Sequence, residues 1–151
     1  MKTKLMLASL LCCAYLSCDE RYESPIPDAP VNLSLDLRYE DSHLVALLAY
    51  KTFTQGRLAN ETTGFGGVLV VNGAGANGLI NLYAYDLACP VETDRTIRIV
   101  PNETGTAVCP KCGAKYDIAY GTGVAQSGGK YPLKAYPVRK KPTDMQYQVI
   151  Y

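Results

Sequence analysis

The 151-residue sequence contains no tryptophan, a single histidine and two phenylalanines. With His43 as the lone imidazole, no Ser–His or Cys–His pair presents itself for nucleophilic catalysis, and the acidic residues have no distinctive spacing. Beyond residue 17, no apolar stretch approaches the length needed to cross a bilayer. An excess of one charge is missing too, since 15 basic residues face 14 acidic ones. The only basic run, Arg139-Lys140-Lys141, sits between Pro137 and Pro142 and reads as a solvated loop rather than a phosphate patch. Nothing in this balance points to nucleic acid. The sequence also lacks a long amphipathic helical period and an internal repeat.

What is present begins with Lys2 and Lys4, then a mostly apolar run from Leu5 to Leu16 that ends at Ser17-Cys18. This is the pattern of a secretory signal, too short to persist as a spanning helix. The stretch Tyr15-Leu16-Ser17-Cys18 resembles a bacterial lipobox, although Tyr15 stands where that motif usually has leucine. The resemblance implies that Cys18 becomes an acylated N-terminus carrying palmitate-class chains. The other reading is an ordinary signal cleaved nearby, with Cys18 a spare thiol. Residues 19–30 are charged and proline-rich, as a tether between lipid and domain should be, and their early acidic pair is similar to surface-export signals of some Gram-negative lipoproteins. The expected layout is therefore a signal peptide over 1–17, a lipidated Cys18 and flexible tether over 18–30, and one domain over 31–151. The location expected is the cell envelope, with lipid alone holding the protein to its membrane, the outer membrane in preference. Removing residues 1–17 leaves 134, enough for one hydrophobic core but not two domains.

The body of the chain reads as strands and turns. Val31, Leu33, Leu35, Leu37 and Tyr39 alternate with Asn32, Ser34, Asp36 and Arg38, the period of a half-buried strand. Leu44 to Phe53 is ambiguous between helix and strand. Val68 to Val71, Leu79 to Tyr85, Ile97 to Val100, Tyr136 to Val138 and Gln146 to Tyr151 are short β-branched or aromatic runs between Gly, Pro and Asn clusters. Thirteen glycines, nine prolines and twelve tyrosines suit an all-β sandwich or barrel with tight turns. Tyr83, Tyr85, Tyr116, Tyr136 and Tyr147 sit within strand-like sequence and are expected in the core or across strands rather than on a glycan platform. Gly73-Ala74-Gly75-Ala76-Asn77-Gly78 matches GxGxxG, but Leu79 to Tyr85 continues as a strand, so no helix N-terminus is available for a pyrophosphate and the motif reads as a turn. The Asn-Glu-Thr sequons at Asn60 and Asn102 read as loop sequence.

The cysteines carry most of the chemistry. Cys12 and Cys13 leave with the signal and Cys18 is the anchor, so Cys89, Cys109 and Cys112 remain in the domain. In an oxidising envelope, thiols default to a disulfide, and an odd number leaves one over. Cys109-Pro110-Lys111-Cys112-Gly113 is also a knuckle that can point two thiolates at one metal. Its partner segment, Ala88-Cys89-Pro90-Val91-Glu92, offers one thiol and the carboxylate of Glu92.

Leu82-Tyr83-Ala84-Tyr85-Asp86-Leu87-Ala88-Cys89-Pro90, followed by Cys109-Pro110-Lys111-Cys112-Gly113-Ala114-Lys115-Tyr116-Asp117, resembles a Rieske iron–sulfur domain. Gly121, Gly123, Gly128 and Gly129, then Pro132-Leu133 and Tyr136-Pro137-Val138, are similar to the turn and strand that close that family's cluster-binding part. The resemblance spans roughly residues 66–138 and implies stacked antiparallel sheets. It also implies a 2Fe-2S cluster with two thiolates on one iron and two imidazoles on the other. Cys89 and Cys109 match the thiolate positions, whereas Val91 and Cys112 occupy the histidine positions. Valine has no donor atom, so a conventional cluster is short of a ligand. A disulfide from Cys89 to Cys109 or Cys112 would join the loops as the cluster does in the family, and pairing within Cys109 and Cys112 is equally open.

Three functional readings follow. The first is a non-catalytic envelope lipoprotein with structural cysteines, no cofactor and an envelope protein partner of unknown identity. The second is a zinc or iron–sulfur protein with Cys89, Cys109 and Cys112 as thiolates and Glu92 or water as fourth ligand. The third is Rieske-type electron transfer, which needs a reducible cluster and a redox partner.

Overall fold

The computed structural model describes residues 23–75 and 78–151. Cys12, Cys13 and Cys18, and with them the signal and anchor, lie outside the described residues, as do Ala76 and Asn77 of the glycine motif. The described chain is all-β, with a short 3-10 turn at Ser42–Val45. Twelve strands run in order: β1 Val31–Asp36, β2 Tyr50–Phe53, β3 Thr62–Thr63, β4 Val68–Asn72, β5 Leu82–Asp86, β6 Val100–Pro101, β7 Thr106–Val108, β8 Lys115–Asp117, β9 Ala125–Ser127, β10 Ala135–Tyr136, β11 Val138–Lys140 and β12 Gln146–Ile150. They form three antiparallel four-stranded sheets, ordered β11-β12-β1-β3, β10-β5-β4-β2 and β6-β7-β8-β9.

The middle sheet explains why β4 is an unbroken apolar run. Val68 and Val70 pack with Leu33, Leu35 and Val149 of the first sheet, while Leu69 and Val71 pack with Ile99, Ala107 and Tyr116 of the third sheet's side. A strand covered on both faces has no solvated side on which to alternate. β1 is covered on one face only and keeps its alternation, with Val31, Leu33 and Leu35 buried. Tyr85, Tyr116, Tyr136 and Tyr147 are buried and Tyr83 packs against the second core, as their strand positions implied.

Several element boundaries differ from the sequence reading, each for a physical reason. The ambiguous Leu44–Phe53 run divides into the 3-10 turn and β2. β5 begins at Leu82 because Asn72 Oδ1 takes the Asn81 N–H at 2.9 Å, leaving Leu79 exposed. Ile97–Val100 makes only an isolated Ala88–Arg98 bridge before β6. The run Tyr136–Val138 is two strands, not one. Pro137 has no N–H to give a ladder, and there the chain passes from Ala84 of the middle sheet to Val149 of the first. The basic run belongs in part to β11, an edge strand on which exposed Arg139 and Lys140 discourage pairing with another chain. Gly73 lies in a coil and leads into no α-helix. A Cβ there would collide with the Ala119 carbonyl and the Tyr83 ring, so close packing accounts for the glycine without a phosphate. At the other end of the chain, Ile26 of the proline-rich segment is buried, and Asp28 is gripped by Lys134 and by Tyr151 Oη at 2.6 Å.

Because β4 is covered twice, Leu69→Ala and Val70→Ala should both destabilise the fold. The leucine truncation should cost about 2–5 kcal/mol, measured by urea unfolding. Neutrality of either variant would mean that β4 has a solvated face.

Candidate metal centre

Two loops at one end of the third sheet meet. The first leaves β5 through Leu87 and Ala88 and turns at Cys89-Pro90-Val91-Glu92-Thr93, where the Thr93 N–H donates to the Cys89 carbonyl at 2.9 Å. The second joins β7 to β8 through Cys109-Pro110-Lys111-Cys112-Gly113, closed by the Gly113 N–H on the Cys109 carbonyl at 3.0 Å. Both closing residues are left-handed, with φ of 53° at Thr93 and 73° at Gly113. Glycine takes that conformation freely, whereas a β-branched threonine is strained there.

The loops bring the three domain cysteines together. Their Sγ atoms all lie within 4.8 Å of one another, with Cys89 and Cys112 3.6 Å apart. All three are free thiols, Cys89 and Cys109 buried and Cys112 half-buried. The Tyr116 hydroxyl is 3.7 Å from Cys89 Sγ. Burial pushes the Cys109 thiol up, but N–H groups of Cys112 and Lys111, with the Cys89 and Cys112 thiols, outweigh it and hold its pKa below the ordinary 9.0. Burial, with the neighbouring thiols against it, pushes Cys112 up to about 11.

The other residues singled out by sequence are placed as follows. Glu92 lies outside the 4.8 Å group, its carboxylate paired with Lys111 Nζ of the second loop at 2.6 Å. Val91, at a histidine position of the resemblance, is exposed at the loop tip. His43 is exposed on the 3-10 turn and belongs to no metal-ligating group among the described residues.

Sequence reasoning passed over Asp86, an acidic residue closing an apolar strand. It is fully buried and accepts hydrogen bonds from the N–H groups of Phe65 at 2.9 Å, Gly66 at 3.0 Å and Ala88 at 2.7 Å, and from the Tyr136 hydroxyl at 2.6 Å. Ala88 directly precedes Cys89, so this carboxylate sets where the first loop departs. The available signal was the acidic side chain at the end of an otherwise apolar strand.

The arrangement suits one soft or borderline cation. Four ligands at a zinc–sulfur distance of about 2.3 Å place sulfurs about 3.8 Å apart at the corners of a tetrahedron, close to the 3.6 Å found for Cys89 and Cys112. A two-iron cluster needs its second pair of donors on the far iron. Here the third sulfur has joined the first two, and among the described residues no fourth donor belongs to the group.

A surface cleft of about 760 Å³ is lined by Ser34, Asp36, Lys51, Arg57, Glu61 and Lys141 among others, and by none of the cysteines. Lys141 reaches the Ser34 hydroxyl at 3.2 Å, and the other two cations are ion-paired. Buried Asp41 beneath the cleft takes Lys51 at 2.7 Å and Arg57 at 3.1 Å.

Two outcomes follow from the site. Asp86→Asn should cost at least about 1–3 kcal/mol, because one or more buried N–H groups would face an amide NH2. Hydrogen exchange should quicken at Ala88 and Thr93, and unchanged exchange there would show that the loop is anchored elsewhere. In the metal-free protein, NMR of carbon-labelled cysteines should find Cys109 ionising below 9.0 and Cys112 near 11. The stability that Cys109 contributes is then present above its unfolded value and lost as pH falls through the lowered one. That from Cys112 is present below 9.0 and lost as pH rises through about 11. Two thiols titrating together at the ordinary value would contradict this environment.

No family model matches the sequence, and no curated protein matches it. Among solved structures, a ferredoxin from Sphingomonas yanoikuyae B1 is similar at 18% identity, over 72% of this chain and 93% of the other, with a TM-score of 0.43.

Proposed function

We propose that this chain is a lipid-anchored envelope protein whose Rieske-like β domain has lost its two-iron cluster and holds one divalent ion on the Cys89, Cys109 and Cys112 thiolates, in a structural and non-catalytic role. The observation that carries the metal reading is the gathering of three Sγ atoms within 4.8 Å, with one pair, Cys89 and Cys112, at 3.6 Å, near the separation that a tetrahedral ion sets. Valine at one histidine position argues against the conventional cluster, and zinc fits the donor set best because thiolate sites closed by the protein are its usual structural use. Such an ion would tie the β5–β6 loop to the β7–β8 loop, the task a disulfide performs in other secreted domains. The anchoring part of the proposal rests on Lys2, Lys4, the apolar run and Ser17-Cys18. An envelope protein is then the class of partner to seek.

A second reading has its own support. Cys89 and Cys112 are neighbours at 3.6 Å, and an oxidising compartment would favour joining them.

Native intact mass separates the two readings, using protein expressed with its own leader, exported, and purified without oxygen, chelator or reductant. The expected result is one zinc ion and three unoxidised thiols, on a chain that begins at acylated Cys18. A bare chain lighter by about two hydrogens would establish the disulfide instead, and two irons with two sulfides would restore the cluster. Cys18→Ser should abolish the acyl mass and leave the precursor uncleaved. An acylated or normally processed variant would overturn the anchoring proposal.

A further inference from the structure

The two cysteine loops are one motif used twice. Each begins Cys-Pro, turns over two further residues, and closes with the N–H of a left-handed fifth residue on the carbonyl of its cysteine: Thr93 on Cys89 at 2.9 Å, Gly113 on Cys109 at 3.0 Å. In this correspondence Glu92 occupies the place in the first loop that Cys112 occupies in the second. The second loop turns its fourth residue into the thiol cluster. The first loop has a side chain of the right class at the same place, since carboxylate oxygen is an ordinary zinc ligand.

Two further observations bear on Glu92. Its side chain is only 15% exposed, although it lies on a surface loop. Its partner, Lys111, comes from the other loop, directly before Cys112, and is 60% exposed. The pair therefore spans the mouth between the two loops. Thr93 is held left-handed although threonine resists that conformation, so the first loop keeps the knuckle shape at a conformational cost. A loop that had lost every ligand after Cys89 would have no need of it.

We infer that Glu92 is the fourth ligand of the ion held by Cys89, Cys109 and Cys112, and that Lys111 holds its carboxylate aside until the ion enters. This rests on the thiolate reading of the site given above. On entry, the hydrated dication gives up its waters, the three thiols release their protons to solvent, and the Glu92 carboxylate passes from the Lys111 ammonium to the metal. No electrons move. An ion pair with so exposed a lysine is weakly held, so the exchange is easy. Afterwards the ammonium remains close to a centre in which four anionic ligands surround a dication, and offsets part of the excess charge. The closed site would have three cysteine thiolates and one glutamate carboxylate, a set suited to zinc and to its spectroscopic substitutes.

The test uses the mature protein with its own N-terminus, titrated with cobalt(II) alone and then displaced by zinc. The wild-type protein should give a tetrahedral spectrum with three thiolate charge-transfer contributions. Glu92→Cys should add a fourth and bind more tightly. Glu92→Gln, which keeps the shape and removes the charge, should bind about 10–100-fold more weakly, at least the loss seen when a supporting residue is removed from a metal site. If Glu92→Gln matches the wild type in affinity and spectrum while both bind cobalt through three thiolates, water is the fourth ligand and the inference fails alone. If the wild type binds no cobalt through thiolate, the metal site itself fails and the inference with it.

Discussion

One buried carboxylate decides how the candidate site is presented. Asp86 ends β5 and gathers three N–H donors and one hydroxyl from three separate segments: the turn at Phe65-Gly66, the start of the first cysteine loop at Ala88, and Tyr136 on β10. A carboxylate removed from water is tolerated only when its lone pairs are taken up, and here they are. The result is a joint at the end of β5, an inner strand of the middle sheet, from which the Cys89 loop departs in a fixed direction. The loop's geometry is therefore set by a polar contact inside an apolar layer, where competing water is excluded and a hydrogen bond is strong.

The two cores divide the labour. Leu33, Leu35, Val68, Val70 and Val149 bind the first sheet to the middle one and contain no chemically reactive side chain. The second core, between the middle and third sheets, includes Cys89 and Cys109 among Leu69, Tyr85, Ile99 and Tyr116. The thiols are thus packed as small hydrophobic groups on one side and gathered with Cys112 on the other. Such placement fixes their positions through side-chain packing as well as through the two turns, which is what a preorganised ligand set requires.

The legible parts of the sequence were those with a period or a motif. β1 was readable from its alternation, β4 from its apolar run, and β12 from Tyr147 and Val149. β3, β7 and β9 were not, because strands of two or three residues such as Thr62–Thr63 or Ala125–Ser127 have too few positions to establish a period, and their partners are set by tertiary packing. The division of Tyr136–Val138 depends on which sheet each side of Pro137 meets, which local composition does not encode. At the site, the three cysteines were legible as a group, whereas their closeness in space depends on two loops 20 residues apart in the chain, from Cys89 to Cys109. The likeness of Cys89-Pro90 to Cys109-Pro110 was visible in the letters. That Thr93 copies Gly113 was hidden, because threonine at a left-handed position is not what propensity leads one to expect.

The directions of the backbone amides bear on whether these sulfurs are arranged for an ion or for each other. N–H groups of Lys111 and Cys112 address the Cys109 sulfur, and that of Ala114 addresses Cys112. Amides aimed at a sulfur stabilise negative charge on it and do little for a neutral disulfide, whose sulfurs are poor acceptors. In metal-free protein these contacts lower Cys109 but leave burial dominant at Cys112, so the cluster is divided between one thiol ready to ionise and one that resists. A dication removes that division, because it supplies the charge that burial withholds and lets every directed amide act on a thiolate at once. The amides of the second loop thus favour a bound cation, whereas burial and the neighbouring thiols are what push Cys112 up without one.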